Sequence, residues 1–450
     1  MKKTLLLTIL LQALGTVWAY DFSAVAPTGQ MLYYNNNGDG TATLTYAGTI
    51  GSPYTTSHPG PEGMLEIPSE VEGKRVVAIG NLALQGCAGL TAVTVPTSVT
   101  TIGSYAFAYC TSLEELRLPS TITLLPHHMC YGCTALVAID IPTSVTKIDD
   151  VAFGSCESLS EIHFPASVSH ISDDAFTDCT GLAEVDFNEV KYVGFGAFAN
   201  CETLTAITIP ESMDTLHTAF LGCTGLRSVT LNAPNCAMGV ENSSPFGINE
   251  NITAVTIGES VESVSDYAFY GFKGLERLDI PDNVETIGDD AFSYAYGLKS
   301  LRIGRGVRSI GEYAFAGIDA VDTIVMRCQP PAIEQSTFSL VAKDKPLYVP
   351  CGQGSAYAAA EYWEAFTNII EDCGDAAIEE REHPQMEVRT EGCLIVVTAS
   401  QPTQMRVADM SGRVLYDGMV WSTARISVPA VGVYVMQTDN GVVRKVLVMQ

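Results

Sequence analysis

The stretch 97–113, TSVTTIGSYAFAYCTSL, contains one cysteine, Cys110, and it recurs with few changes along the chain. The copies TSVTKIDDVAFGSCESL and ASVSHISDDAFTDCTGL end at Leu159 and Leu182. The cysteine position of the phrase F-x-x-C-x-x-L returns in steps of 23, 22 or 26 residues, at Cys87, Cys110, Cys133, Cys156, Cys179, Cys201, Cys223, Asn249, Phe272, Ala295, Ile318 and Val341. A period of this size predicts a solenoid of about twelve coils, each packed only on its neighbours.

Each coil contains two strand-like pieces and a tight turn. Leu113 and Leu116 alternate with polar residues, which predicts a strand with one buried side. A second, shorter apolar piece follows, and the segment SYAFAYC is expected to form one to two helical turns with Phe107 and Cys110 facing inward. The sequence thus predicts a β-rich solenoid of short strands plus short helical turns.

The solenoid is one of several predicted segments. The basic, apolar start MKKTLLLTILLQALGTVWA is typical of a signal peptide, and it is too short to be read as a membrane anchor. An insertion at 233–247 is either a functional protrusion or a tolerated surface loop. We predict a signal peptide at 1–19, an N-terminal strand and cap region at 20–63, repeats at 64–345, a C-terminal cap at 346–374, a linker at 375–384 and a small β-sandwich at 385–450.

Charge is distributed unevenly along the chain. Residues 20–383 contain 46 acidic and 16 basic side chains, a balance of −30, whereas 384–450 contain 5 acidic and 6 basic ones, a balance of +1. An acidic surface repels phosphates and anionic lipid headgroups, so nucleic acid is not an expected partner.

The repeats resemble the BspA-like leucine-rich repeat family of bacterial surface proteins. Its motif L-x-x-I-x-I-P-x-S-V-x-x-I-G-x-x-A-F-x-x-C-x-x-L is matched closely at 90–113 and 136–159, and the resemblance covers about 64–370. It implies a secreted or cell-surface protein that acts in adhesion or protein recognition, with no cofactor and no enzymatic activity.

The last segment resembles the C-terminal sorting domain of the type IX secretion system of Bacteroidetes. The segments MRVADMSGRVLYDG and VPAVGVYVMQTDNGVVRKVLV carry the resemblance, although Val428 and an extra residue before Gly432 depart from the usual pattern. It implies passage through the outer membrane, removal of the domain, and attachment to lipopolysaccharide or release. A plain immunoglobulin-like module is the alternative. The motif positions are Gly412, Arg413, Gly432, Tyr434 and Lys445.

The repeated cysteines are predicted to be packing residues. In the later coils the same position holds phenylalanine, alanine, isoleucine or valine, none of which can replace a metal ligand or a redox thiol. We therefore expect buried free thiols at Cys87, Cys110, Cys133, Cys156, Cys179, Cys201 and Cys223. The better candidates for a disulfide are Cys351 and Cys373, around the C-terminal cap.

No catalytic motif is evident in the sequence. His127 and His128 are adjacent, and in a strand their rings would point to opposite faces. The acidic pairs are expected to cap the N–H groups of the turns that they begin, with a calcium site as the alternative. These pairs are Asp149–Asp150, Asp173–Asp174 and Asp289–Asp290.

The outward positions of the first strands form a stripe along the coils, and we predict a protein-binding surface there. The stripe lacks aromatic residues, which disfavours a sugar-stacking site on this face. The expected partner of a monomeric chain is an extracellular protein, such as host matrix or another cell surface; an extracellular enzyme acting on polymers and a structural envelope protein are the alternatives. The candidate residues are Arg117, Asp140, His163, Asp186, Arg277 and Arg302.

Overall fold

The computed structural model describes residues 19–47 and 60–373, together with the segments 387–391, 394–398, 403–409, 413–420, 423–429, 432–438 and 443–448. The predicted linker and nearly all of the predicted signal peptide lie outside the described residues. The chain separates into two compact units, Met1–Glu371 and Asp372–Gln450.

The first unit begins with an antiparallel cap. Its strands β2 and β3 are joined by a turn rich in asparagine and glycine, as the sequence predicts, and β3 then pairs with β6, which pairs with the first coil. Leu32, Tyr34 and Leu44 are buried beneath this cap. The strands are β1 Phe22–Val25, β2 Met31–Asn36, β3 Thr41–Thr45, β4 Gly63–Glu66, β5 Glu70–Val71 and β6 Lys74–Ile79.

The coils stack their strands in parallel on two sides of the solenoid. The long-strand face consists of β7 Leu90–Thr94, β9 Glu115–Arg117, β12 Glu161–His163, β14 Glu184–Asp186, β16 Ala206–Ile209, β18 Ser228–Leu231, β20 Ala254–Ile257, β22 Arg277–Ile280, β24 Ser300–Ile303, β26 Thr323–Met326 and β27 Leu347–Pro350. The short-strand face consists of β8 Thr101–Ile102, β10 Leu124–Leu125, β11 Lys147–Ile148, β13 His170–Ile171, β15 Tyr192–Val193, β17 Thr215–Leu216, β19 Ala237–Met238, β21 Ser263–Val264, β23 Thr286–Ile287 and β25 Ser309–Ile310.

A continuous core runs between these faces. Phenylalanine rings of successive coils stack along it, with centroids 5.2–5.5 Å apart, as for Phe153 on Phe176 and Phe292 on Phe315. The insertion at 233–247 contributes Phe246, which is buried and stacks on Phe220, but the row then continues through edge-on contacts with Phe272 before stacking resumes at Phe269. Each ring is therefore shielded only by the coils before and after it, which is why the array needs caps.

The segment that contains A-F turns tightly, as predicted, but its hydrogen bonds are not those of a helix. The amide of Cys110 donates to Phe107, three residues back, whereas the amide of Phe107 donates to Met129 in the next coil, at 2.9 Å. Tyr105 and Tyr109 have left-handed backbone angles, with φ of 59° and 61°. We call the side of the solenoid formed by these A-F segments the turn edge. Because local and inter-coil bonds alternate along it, the turn edge is a stack of β-turns rather than of short helices.

Side chains at the start of the turn edge join neighbouring coils. The carboxylate of Asp289 accepts the amide of Glu312 at 2.7 Å, and that of Asp173 accepts the amide of Phe195 at 2.9 Å. For Asp173 and Asp289 the predicted capping partner is therefore wrong, since each carboxylate accepts an amide of the next coil rather than of its own turn. A Cβ at Gly311 would lie 2.2 Å from the Asp289 oxygen, so this close approach requires glycine.

An aromatic plug closes the C-terminal end of the solenoid, as predicted. Trp363, Tyr357 and Phe366 are buried, and Trp363 donates its indole N–H to Pro331 at 2.8 Å. The elements are the helix α1 Gly354–Ala359, the 3-10 helix η1 Trp363–Ala365 and the strand β28 Ile369–Asp372. These rings cover the last phenylalanine of the core, Phe338.

The second unit consists of two antiparallel sheets that share one apolar core, which agrees with the predicted β-sandwich. One sheet has the order β29-β30-β33 and the other β32-β31-β34-β35. Val407, Ile426 and Met436 are buried between them. The strands are β29 Glu387–Glu391, β30 Leu394–Thr398, β31 Thr403–Asp409, β32 Val414–Val420, β33 Thr423–Ser427, β34 Gly432–Thr438 and β35 Val443–Val448.

Candidate binding surface

The predicted stripe is a real feature of the long-strand face. Parallel pairing places Arg117 beside Thr94, Asp186 beside His163, and Arg302 beside Asp279, each in the register that the repeat period predicts. Since neighbouring strands lie about 4.8 Å apart, these side chains form rows along each paired group of strands.

Three of the predicted residues surround one shallow groove of about 390 Å³, which is lined by Ala138, Asp140, Glu161, His163, Asp186 and Asn188 among others. The imidazole of His163 lies between two carboxylates, with Nε2 3.9 Å from Glu161 and Nδ1 3.9 Å from Asp186. Both distances exceed hydrogen-bond length, so neither carboxylate is bonded to the imidazole; Asp186 Oδ1 accepts the amide of Asn188 at 3.1 Å.

The groove lies at one of three interruptions of the ladder of the long-strand face, which also breaks between β14 and β16 and between β20 and β22. Within the part of the chain that the structure describes, the backbone of residues 138–141 forms no hydrogen bond to either neighbouring coil. Ile139 and Ile141 keep 7% and 8% of their surface accessible, more than Leu116 or Ile162 in the flanking strands. The interruption therefore leaves these backbone donors and acceptors without partners in the neighbouring coils, while the side chains of Ile139 and Ile141 stay buried.

The structure places the predicted arginines elsewhere. Arg117 is exposed but does not line the groove, and it pairs with Glu115 at 2.5 Å on its own strand. Arg277 donates two bonds to Asp279, at 2.9 and 3.1 Å. Arg302 is partly exposed, farther along the same face. The six candidates thus form one acidic groove and separate basic positions rather than a single site.

The repeated cysteines are buried and free, as predicted. Six of the seven, all but Cys87, donate the S–H to a carbonyl of the preceding coil, for example Cys133 to Phe107 at 3.1 Å and Cys179 to Phe153 at 3.2 Å. Burial raises the pKa of the Cys179 and Cys223 thiols to about 12. A thiol that remains protonated is a poor nucleophile and a poor metal ligand, so these residues serve packing.

Cys351 and Cys373 are joined in a disulfide. Glu371 is close to both sulfurs, but its carboxylate accepts the amides of Gly352 and Gly354, at 3.1 and 2.8 Å. A disulfide lacks the thiolate that a metal requires, and this group is therefore a covalent staple of the C-terminal cap.

Sequence reasoning missed the aromatic residues of the turn edge. The expectation that His127 and His128 face opposite sides is wrong, because they belong to a turn in which His128 has a φ of 55° and the two ring centroids lie 3.9 Å apart. Tyr105 stacks on His128 at 4.4 Å, and Tyr109 is 48% exposed. The sequence feature that indicates this cluster is the recurrence of aromatic residues beside A-F in successive coils.

The sorting-motif positions lie in or beside strands of the second unit. Tyr434 is buried in its core, Arg413 is exposed, and Gly432 is the first residue of β34. Lys445 lies in β35, opposite Val435. Gly412 lies outside the described residues. In the part of the chain that is described, no helix is long and apolar enough to cross a membrane.

Stacked coils with parallel strands on two sides and a repeated leucine pattern define a leucine-rich-repeat solenoid protein. The sequence matches the BspA type leucine rich repeat region in six copies, over 77–202, 146–241 and 242–350. These ranges cover more than half of the chain, which therefore belongs to the BspA-type leucine-rich repeat family.

Several solved structures are similar to this chain. A leucine-rich repeat protein from Bacteroides ovatus is 23% identical, with a TM-score of 0.43, over 78% of this chain and 100% of that one. The pneumococcal vaccine antigen PcpA is 18% identical, with a TM-score of 0.38, over 78% and 99%. A leucine rich cell surface protein from Faecalibacterium prausnitzii is 21% identical, with a TM-score of 0.31, over 68% and 95%. No curated protein matches significantly.

Proposed function

We propose that this chain is a non-catalytic recognition protein of the cell surface, which binds an extracellular protein through the groove around His163. The observation that carries the proposal is the groove beside the interrupted ladder at 138–141, where backbone groups without inter-coil bonds lie next to the polar side chains of Asp140, His163 and Asp186. Family membership supports a role in protein recognition or adhesion.

The direct test is binding of the purified full chain to immobilised matrix proteins. Asp140→Arg reverses the charge of the groove, and Arg117→Glu reverses the exposed base of the adjacent strand β9; we expect Asp140→Arg to weaken binding at least about tenfold. Arg308→Glu and Asp319→Arg are matched charge reversals outside the groove and should leave affinity unchanged. If all four variants bind with the same affinity as the wild type, the assignment of the binding surface is overturned.

The alternatives predict different results. A purely structural envelope protein would bind none of the matrix proteins. An extracellular enzyme would turn over peptides or glycans, so the same preparation should be incubated with panels of both. Turnover that survives purification to homogeneity would replace the recognition proposal.

We further propose that the second unit directs export through a type IX-like system and is then removed. The resemblance of its strands β31–β35 to that sorting domain supports the proposal. The test is the intact mass of the form found at the surface of the producing cell. A surface form that lacks the signal peptide and ends before residue 385 is expected, whereas retention of Gln450 would contradict the proposal.

A further inference from the structure

Five tyrosines lie on the turn edge in the C-terminal half of the solenoid, and we call this group the tyrosine edge; the rings of four, Tyr267, Tyr270, Tyr294 and Tyr296, follow one another in contact. The ring centroids of Tyr270 and Tyr294 lie 5.3 Å apart, and those of Tyr294 and Tyr296 lie 5.7 Å apart. Tyr294, Tyr296 and Tyr313 are 38%, 43% and 45% exposed. The members are Tyr267, Tyr270, Tyr294, Tyr296 and Tyr313.

The backbone holds part of this cluster in place. Tyr267, Tyr294 and Tyr313 all have left-handed φ values, between 55° and 60°. A Cβ at Gly317 would lie 3.2 Å from Cε1 of Tyr296 and 3.5 Å from Cδ1 of Tyr294, so the missing side chain leaves room for both rings. The aromatic faces are therefore presented by a fixed scaffold, which lowers the entropy lost when a ligand binds.

Acidic residues lie in the same turn segments as these tyrosines. Burial raises the pKa of Asp290, and the neighbouring hydroxyls of Ser293 and Tyr267 act in the opposite direction. Asp266 and Asp289 each accept one amide of the next coil through Oδ1, and Glu312 is exposed. The turn segments DYAFYG, DDAFSYAYG and EYAFAG at 266–271, 289–297 and 312–317 contain no lysine or arginine to neutralise this charge.

Aromatic faces attract cations because the ring quadrupole is negative above the plane, and neighbouring carboxylates add to this attraction. A neutral sugar could stack on the same rings, but it would gain nothing from the uncompensated carboxylates. Arginine gains from both, since its planar guanidinium stacks on rings and pairs with carboxylates. The chain's formal net charge of −27 further favours approach of a basic partner.

From these contacts we infer that the tyrosine edge is a second interaction surface, which binds an arginine-bearing basic segment of a partner polypeptide. It is independent of the groove around His163, because the two surfaces share no residue. Loss of one should leave the other intact, so the failure of either proposal is distinguishable.

The experiment uses the full chain and a fluorescent eight-residue peptide of alternating arginine and glycine, with binding followed by anisotropy. A peptide with citrulline in place of arginine has nearly the same shape without the charge. We expect saturable binding of the arginine peptide that weakens with salt, and binding at least about tenfold weaker for the citrulline peptide.

Variants assign the binding to the tyrosine edge. Tyr294→Leu with Tyr296→Leu should weaken binding about tenfold, whereas the corresponding phenylalanine variants, which keep the rings, should stay within about threefold of the wild type. Tyr109→Leu is the matched control, since Tyr109 occupies the same repeat position as Tyr294 in a turn segment, SYAFAYC, without acids. Glu312→Gln alters charge at an exposed position and should weaken binding without affecting the fold.

Each other outcome overturns the inference. Equal affinity for the citrulline peptide would remove the role of the cation, and unchanged binding by both Tyr294→Leu/Tyr296→Leu and Glu312→Gln would place the peptide elsewhere. Absence of peptide binding, or binding of a glycan panel alone, would assign the rings to another ligand class. Circular dichroism of every variant establishes that the fold is retained.

Discussion

The thiol of Cys133 donates its S–H to the carbonyl oxygen of Phe107, twenty-six residues earlier, across 3.1 Å. The same bond recurs at Cys110, Cys156, Cys179, Cys201 and Cys223, with distances of 3.1–3.4 Å. Asn249 continues the row with its amide, 3.4 Å from the Cys223 carbonyl. Cysteine is thus both a small apolar filler and a weak donor, and Asn249 satisfies the second of these roles at a buried position.

Replacing one of the repeated cysteines tests this double role. Cys156→Ala removes the sulfur and its bond inside a fully buried site, and we expect the free energy of unfolding to fall by about 1–2 kcal/mol. Urea unfolding measures the change. In the wild type, the thiols of the seven repeated cysteines should react with a thiol reagent only after denaturation. Rapid labelling of the native protein would contradict their burial.

The inter-coil carboxylate of Asp289 offers a second test. Asp289→Ala leaves the amide of Glu312 without its acceptor and should destabilise the solenoid by about 1 kcal/mol. Asp289→Asn keeps an acceptor oxygen and should cost less. Asp319→Ala, at an exposed position for which the described residues provide no hydrogen bond, is the control and should be neutral. Equal losses for all three variants would contradict a specific bond between coils.

Reduction of the disulfide should loosen the C-terminal cap. The bond between Cys351 and Cys373 closes the chain around α1 and η1, and its loss removes about 3 kcal/mol of restraint on the unfolded chain. A reductant should therefore lower the melting temperature of the wild type and increase amide exchange around Trp363. The Cys351→Ser/Cys373→Ser variant should show the lower temperature already and should not respond to reductant.

Stability should depend on pH through His128. Burial, together with the neighbouring His127, lowers the pKa of His128 below its ordinary value. The unfolded chain then binds more protons than the folded one in the window between this lowered pKa and about 6.5, so stability rises with pH across that window and falls on acidification. Melting temperatures between about pH 5 and 8 measure the slope.

Substitution of His128 should reduce this slope but not abolish it, because burial also lowers the pKa of His170. His128→Gln cannot gain the proton, and its melting temperature should change less with pH than that of the wild type. An unchanged slope in His128→Gln would assign the pH dependence to other groups.

The outward stripe on which the candidate surface rests was predictable because repeat registration fixes which residues become neighbours. Once the 23-residue period was recognised, His163 and Asp186 had to lie side by side on adjacent strands, as they do. Two features of the surface were not predictable in this way. The interruption of the ladder at 138–141 has no counterpart in the repeat period, and Arg117 matches the period yet lies outside the groove.

The sequence by itself determined the solenoid, its caps, the sandwich-like second unit and the burial of the cysteines, since each follows from the spacing of apolar residues. Tertiary structure decided what the turns do. Left-handed residues such as Tyr105 and His128 reverse the direction of side chains locally, and their amides bond to the next coil. Those backbone angles depend on contacts with the neighbouring coil. The positions of the rings in the tyrosine edge and in the histidine pair were therefore not predictable from the sequence of one repeat.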